Sequence, residues 1–299
     1  GDSLLRGQAT LLADSGRIYN LGQMNLGQAL QVNTTGDLVN EGTIQSQGDI
    51  AVNARNISSN LVNAGGIVTA GNLALQASGA AQLGQAGTLS AGQDLSLQAA
   101  NGTQTAGTIQ AGQDLHYAGD ELLNTGTVAA QNADIQASLG NQGGVYIQSD
   151  LSVSGSTSNS GEIAADAIQM AGLDNSGQVG AQSASLGATS NSGDISAGSV
   201  AISGGLSNSG AVSGGSSVSV YGGSTSNDGS IAGGTVSLAG SSISNGGQIQ
   251  SSGAMSISGG SFDNRLQESK TCPSGNCSTP ESYQYSQNPG TVFAGGPLS

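Results

Sequence analysis

The sequence predicts an all-β chain folded as a right-handed parallel β-helix, with about three short strands in each coil. Three observations predict it. A short phrase, Asn-x-Gly-x-(Ile/Val/Leu), returns every 16 to 23 residues between Asn40 and Ile249. Between phrases, apolar residues alternate with small polar ones over two to four positions, the mark of short strands with one buried face. Gly, Ser and Asn fill the gaps between those strands and mark turns. A fixed period near 20 residues with one supersecondary unit per repeat is the signature of a solenoid, in which stacked repeats form one continuous core.

The phrase glycines are Gly42, Gly65, Gly87, Gly107, Gly126, Gly143, Gly161, Gly177, Gly193, Gly210, Gly229 and Gly247. Asn stands two places before ten of these twelve, and Gln85 and Thr105 take that place in the other two. One repeat shows the plan: Leu206-Ser-Asn208-Ser-Gly210-Ala-Val212, a Ser/Gly turn, Val218-Ser-Val220, a second turn, and the next phrase at Asn227. Strands this short need neighbours to persist.

Stacking the repeats lines up three inward ladders. The first runs Ile44, Ile67, Leu89, Ile109, Val128, Val145, Ile163, Val179, Ile195, Val212, Ile231, Ile249. The second is paired, as in Leu73/Leu75, Leu95/Leu97, Val200/Ile202, Val218/Val220 and Met255/Ile257. The third is looser: Leu139, Thr157, Leu173, Thr189, Leu206, Thr225, Ile243, Phe262. Right-handedness follows from the rule for parallel crossovers. At about 4.8 Å per strand, twelve coils give a rod of roughly 55–60 Å.

Within the phrase, Gly is expected to supply positive φ at the corner. Asn tolerates turn geometry, and its amide can stack on the amide of the next coil. This predicts a structural ladder through Asn159, Asn175, Asn191, Asn208, Asn227 and Asn245. A ligand-binding Asn row is the rarer alternative.

Composition narrows function. Only 8% of residues are charged and none is Trp, yet periodic Ile, Leu and Val run throughout, which separates the chain from disordered ones. The formal charge is −14, and Arg6, Arg17, Arg55, Arg265 and Lys270 are dispersed, so no cluster exists to replace counterions on nucleic acid. The same charge disfavours anionic lipid surfaces, and no apolar run approaches the ~20 residues of a membrane span. No signal-peptide pattern stands at Gly1, which fits a piece of a longer secreted chain.

The pattern changes at Phe262-Asp263-Asn264, where Arg265-Leu266-Gln267 follows in place of the expected glycine. All four prolines and both cysteines lie beyond that point. The expected organisation is therefore a β-helix over 1–264 and an irregular Cys/Pro/Tyr-containing segment over 265–299, either the start of a further region or a tip insertion. Cys272 and Cys277 flank a Pro/Gly-containing loop and most simply form a disulfide in a secreted chain, with a metal site, a catalytic thiol or free thiols as alternatives. Tyr283, Tyr285 and Phe293 are candidate receptor contacts, because aromatic side chains bury large area at low entropic cost. The plainer reading is a linker.

No residue is assigned to catalysis or to metal, and no cofactor is implied. A glycan hydrolase needs two carboxylates held about 5–10 Å apart. Glu162, Asp166 and Asp194 are the candidates, against the plainer reading of solvated turn carboxylates. The Gly-Gly-x-Gly-x-Asp nonapeptide of calcium-binding β-rolls is absent. His116 falls on the outward side of its strand. The Thr-bearing run Gly102–Thr108 does not recur in register, so it carries no ice-binding reading.

Asn159-Ser-Gly-Glu-Ile163, Asn191-Ser-Gly-Asp-Ile195 and Asn63-Ala-Gly-Gly-Ile67-Val-Thr-Ala70 resemble the haemagglutinin repeat. The resemblance covers about residues 10–264. It implies a shaft segment of a two-partner-secretion exoprotein, of the filamentous haemagglutinin or contact-dependent growth inhibition kind. It also implies export through an outer-membrane transporter and display at a Gram-negative cell surface, facing an unknown receptor on a host cell or a neighbouring bacterium. No amino-terminal secretion signature and no Val-Glu-Asn-Asn boundary is present, so export recognition and toxin activity are not carried over. The expected function is a non-enzymatic surface shaft used in adhesion or contact-dependent toxin delivery, without membrane insertion by this segment. The alternatives are a receptor-binding module using residues 261–299 and, more remotely, a glycan-active β-helix enzyme.

Overall fold

The computed structural model describes residues 3–5, 9–13, 16–59, 66–85, 87–271 and 284–299. The described residues form a parallel β-solenoid without a helix. The chain divides into two compact units, Gly1–Ala171 and Gly172–Ser299.

In the first unit a plain coil consists of strands Thr88–Ala91, Leu95–Ala99 and Thr103–Thr105. Each pairs in parallel with the equivalent strand on either side: Leu89 lies between Ile67 and Ile109, and Leu95 between Leu73 and Leu115. The alternation decides which face is buried. In Leu95-Ser-Leu-Gln-Ala99 the two leucines and Ala99 are buried while Ser96 and Gln98 are exposed. The first apolar ladder runs in unbroken register from Ile44 to Ile163, and every member is at most 1% exposed. Each such aliphatic side chain contributes about 1.5–3 kcal/mol by burial. No coil could hold that gain alone, since its two open faces would return the ladder to water.

Asp114–Asn124 runs through two faces of its coil, and its register against Asn132–Asn141 shifts between Ala118 and Glu121. That bulge carries the Glu121 carbonyl to the buried Tyr117, whose hydroxyl donates to it at 2.7 Å.

The second unit repeats the plan with longer strands that bend round the corners, such as Gln178–Asn191 and Ala211–Tyr221. Val179, Ile195, Val212, Ile231 and Ile249 stack in register at no more than 2% exposure. Thr189, Leu206, Thr225 and Ile243 form the third ladder and are buried. Phe262 continues it in register, but is 47% exposed.

Four features differ from expectation. The series holds an earlier copy of the phrase, Asn20-Leu-Gly22-Gln-Met24, with Asn20 in register with Asn40 and Met24 with Ile44. Met in the fifth place hid it. The phrase glycines among the described residues do not owe their place to positive φ, which there falls at Gly16, Gly102 and Gly222. They are required by close approach: a Cβ on Gly107, Gly126, Gly193, Gly210 or Gly229 would run into the carbonyl oxygen of the phrase glycine one coil earlier.

Gln85 does not occupy the Asn position. Leu83 does, paired with Thr105 and buried, while Gln85 is exposed in a lengthened corner. An apolar side chain two places earlier takes the interior site and the corner absorbs the extra residues. Likewise Ser59 stands in register with Leu83, and Asn63 lies outside the described residues.

Within residues 265–299, expected to be irregular, the described residues carry strand structure. Leu266–Thr271 pairs antiparallel with Gln284–Pro289, and Thr291–Ala294 then adds a parallel strand to Gln248–Ser251. Leu298 bridges to Met255 in the same parallel sense. The polar alternation of Leu266-Gln-Glu-Ser-Lys-Thr271 gave no hydrophobic period by which to recognise the hairpin.

Candidate functional site

The most ordered side-chain constellation is a column of amides inside the corners. In the second unit each Asn Nδ2 donates to the Oδ1 of the Asn one coil on: Asn175 to Asn191, Asn191 to Asn208, Asn208 to Asn227, Asn227 to Asn245 and Asn245 to Asn264, all at 2.7–2.8 Å. In the first unit Asn124, Asn141 and Asn159 form the same relay at 2.8 Å, and Asn20 and Asn40 make one link at 2.7 Å. Each amide also holds backbone. Asn191 Nδ2 reaches the Gly193 carbonyl at 3.0 Å and the Ala211 carbonyl of the next coil at 3.0 Å.

Asn124, Asn141, Asn159, Asn175, Asn191, Asn208, Asn227 and Asn245 are at most 2% exposed. Buried amides with their donors committed hold adjacent coils together and leave no face for a ligand. The relay is interrupted in the first unit where Leu83 and Thr105 stand in the column. There the Thr105 hydroxyl is buried without a hydrogen-bond partner.

A second ladder, missed from sequence, lies just before the paired apolar strands of the first unit. Asp49 accepts the Asn72 backbone N–H at 2.7 Å, Asn72 that of Asp94 at 3.2 Å, and Asp94 that of Asp114 at 3.2 Å. Asp114 accepts from the Asn132 amide at 2.7 Å. The signal was present as Asp or Asn before Leu or Ile in Asp49-Ile50, Asn72-Leu73, Asp94-Leu95 and Asp114-Leu115. In the second unit Ser199, Ser217 and Thr235 fill the equivalent positions before Val200, Val218 and Val236.

The outer faces carry what remains for contact. On the first unit Asn33, Asn53, Gln76 and Gln98 stand in register beside Ala51, Ala74 and Ser96. They line an open depression of about 320 Å³ without a charged side chain. His116 lies on this face one coil further, half-exposed as expected, with Nδ1 3.2 Å from Asp134. Exposed Tyr146 donates to Glu162 Oε2 at 2.8 Å, and that bond raises the tyrosine's pKa. Asp166 and Asp194 are exposed, in the first and second unit respectively.

Of the tail residues, Cys272, Cys277 and Tyr283 lie outside the described residues. Tyr285 is in the hairpin strand Gln284–Pro289, across from Lys270. Phe293 belongs to the coil strand instead, in register with Gln250 and 59% exposed. Arg265, at the hairpin's base, has its guanidinium 3.7 Å from Asp228.

The haemagglutinin repeat family matches residues 4–69 and 197–266. A search of the curated proteins and one of the solved structures each gave no match. Haemagglutinin repeats are typical of secreted or surface-exposed bacterial proteins, and the family is one of structural shafts rather than enzymes. In these two stretches the coils described above are similar to haemagglutinin repeats.

Proposed function

We propose that the chain is part of the surface shaft of a secreted bacterial exoprotein, used to hold an adhesive or toxin-delivering element away from the cell. The carrying observation is where the polar chemistry sits. The phrase that defines the repeat spends its amides on coil-to-coil bonds such as Asn208 to Asn227 at 2.7 Å, and so builds length instead of a reaction centre. Export through an outer-membrane two-partner-secretion transporter belongs to this reading. Small side chains and low charge suit passage as an unfolded chain, and the coils then fold one upon another outside.

A second reading, a receptor-binding module over residues 261–299, is favoured by one observation. The hairpin Leu266–Thr271/Gln284–Pro289 leaves the coil stack there, and Phe293 is exposed beside it.

Protease shaving of intact producing cells tests the shaft reading. Fragments of this chain should be released without lysis, and protection until lysis would overturn it. Labelled chain incubated with epithelial cells and with Gram-negative bacteria tests the second reading. Binding that disappears on removal of residues 261–299 supports it, and binding to neither cell type removes it.

A further inference from the structure

The last Asn-x-Gly corner is split by a hairpin and yet makes nearly every bond of an unsplit one. In the coil before it, Gly246 N–H donates to the Asn227 carbonyl at 2.7 Å and Gln248 N–H to the Gly229 carbonyl at 2.8 Å. One coil on, Arg265 N–H donates to the Asn245 carbonyl at 2.7 Å and Thr291 N–H to the Gly247 carbonyl at 2.8 Å. Asn264 Nδ2 reaches the Gly290 carbonyl at 2.7 Å, as Asn245 Nδ2 reaches that of Gly247 at 3.2 Å. Val292 stacks on Ile249 in the first apolar ladder. The glycine that the sequence lacks after Arg265 is therefore Gly290.

A single bond is exchanged. Gly247 N–H donates to the Asn227 carbonyl at 3.0 Å, whereas Gly290 N–H donates to the Arg265 carbonyl at 2.8 Å. That exchange closes the base of the hairpin, whose strands then pair from Leu266 with Pro289 to Thr271 with Gln284.

Length varies at this same corner elsewhere. Asn40 and Thr43 flank an unsplit corner in the first unit, and Ser59/Gly66 and Leu83/Thr88 flank longer ones in the same register. The strands before and after each of them stay in register. At described corners the residue before the phrase glycine is exposed, as at Glu41, Ser192, Ser209 and Asp228, so backbone added there meets water and need not be paired within the stack.

We infer that residues 266–289 are an insertion into an otherwise complete coil, a side-mounted hairpin separable from the fold of the shaft. We further infer that the bond before the phrase glycine is the graft point of this solenoid. At the exit of the insertion the Arg265 guanidinium lies 3.7 Å from Asp228, two coils back along the register Asn227–Asn245–Asn264. This inference stands on backbone bonding and is independent of the adhesive reading.

Three variants of the full chain test it. Deleting 266–289 joins Arg265 to Gly290 and restores Asn-Arg-Gly-Thr-Val. The expected result is an unchanged β-sheet circular dichroism spectrum, with an unfolding midpoint within about 2 °C of the parent. Loss of cooperative unfolding, or a midpoint lower by about 10 °C, would overturn separability. Moving the segment to the bond between Asp228 and Gly229 should leave a folded chain, while placing it between Ile231 and Ala232, inside a strand, should not. Equal damage at the two positions would overturn the graft-point claim even if the deletion folds. Cell binding by the same variants reads the receptor hypothesis separately, because a folded deletion variant that still binds removes that hypothesis and leaves this one intact.

Discussion

Asn227 donates its side-chain amide to the side-chain oxygen of Asn245 at 2.8 Å, and both residues are fully buried. The same Asn227 nitrogen reaches the Gly229 carbonyl at 3.3 Å and the Gln248 carbonyl at 3.1 Å, and Asn227 Oδ1 accepts from Asn208. Asn227→Ala removes one of three acceptors of the Asn208 amide, which keeps the Gly210 and Ser230 carbonyls, and leaves the buried Asn245 Oδ1 without its donor, a cost of about 1–3 kcal/mol. Urea unfolding should show the midpoint falling. An unchanged midpoint would mean the relay is incidental to the stack.

The phrase glycines give a paired prediction. A Cβ on Gly229 would penetrate the Gly210 carbonyl, while one on Gly180 would meet nothing within 4 Å. Gly229→Ala should therefore lower the unfolding midpoint sharply, since two backbones must part to admit the methyl. Gly180→Ala should raise stability by about 0.4–1 kcal/mol by restricting the unfolded chain. Thermal scans of the two variants side by side decide it, and equal effects would remove the close-approach explanation.

Thr105 stands in the amide column next to Asn124, with a buried hydroxyl that lacks a partner. Thr105→Asn should add a donor facing Asn124 Oδ1 and extend the relay, for a gain of about 1 kcal/mol. A lower midpoint would show that the neighbouring Leu83 leaves no room for the amide.

Tyr117 provides a pH handle. Burial raises its phenol pKa above the usual value, and the hydroxyl donates to the Glu121 carbonyl. Below the unfolded-state pKa of about 10 both states are neutral and its contribution is complete. As pH rises further the unfolded chain ionises first, so stability is lost progressively until pH passes the folded-state pKa. Tyr117→Phe should flatten that alkaline decline while costing about 1 kcal/mol at neutral pH, from the undonated carbonyl. Equally steep alkaline loss in both proteins would assign the decline to other groups.

Much of the fold was legible in the sequence because a solenoid coil meets its neighbours one repeat away. The side chains stacked on Ile231 are Val212 and Ile249, and both occupy the same place in the written phrase. Alternation within Leu95–Ala99 likewise settled which face is inward, since the strand period admits only two choices. The Asn positions were legible for the same reason, and so was the change of pattern after Asn264.

The class of fold, the apolar ladders and most of the amide column follow from periodicity alone and were readable in the sequence. The tertiary structure decided the corners. It set Leu83 and not Gln85 in the column, made close backbone approach rather than positive φ the reason for Gly229, and let Gly290 complete a corner begun at Asn264. The physical reason is that a corner has no period of its own. Its length is free so long as the strands on either side return to register, and that return is enforced by hydrogen bonds to the coil beneath, which a one-dimensional reading of spacing does not contain.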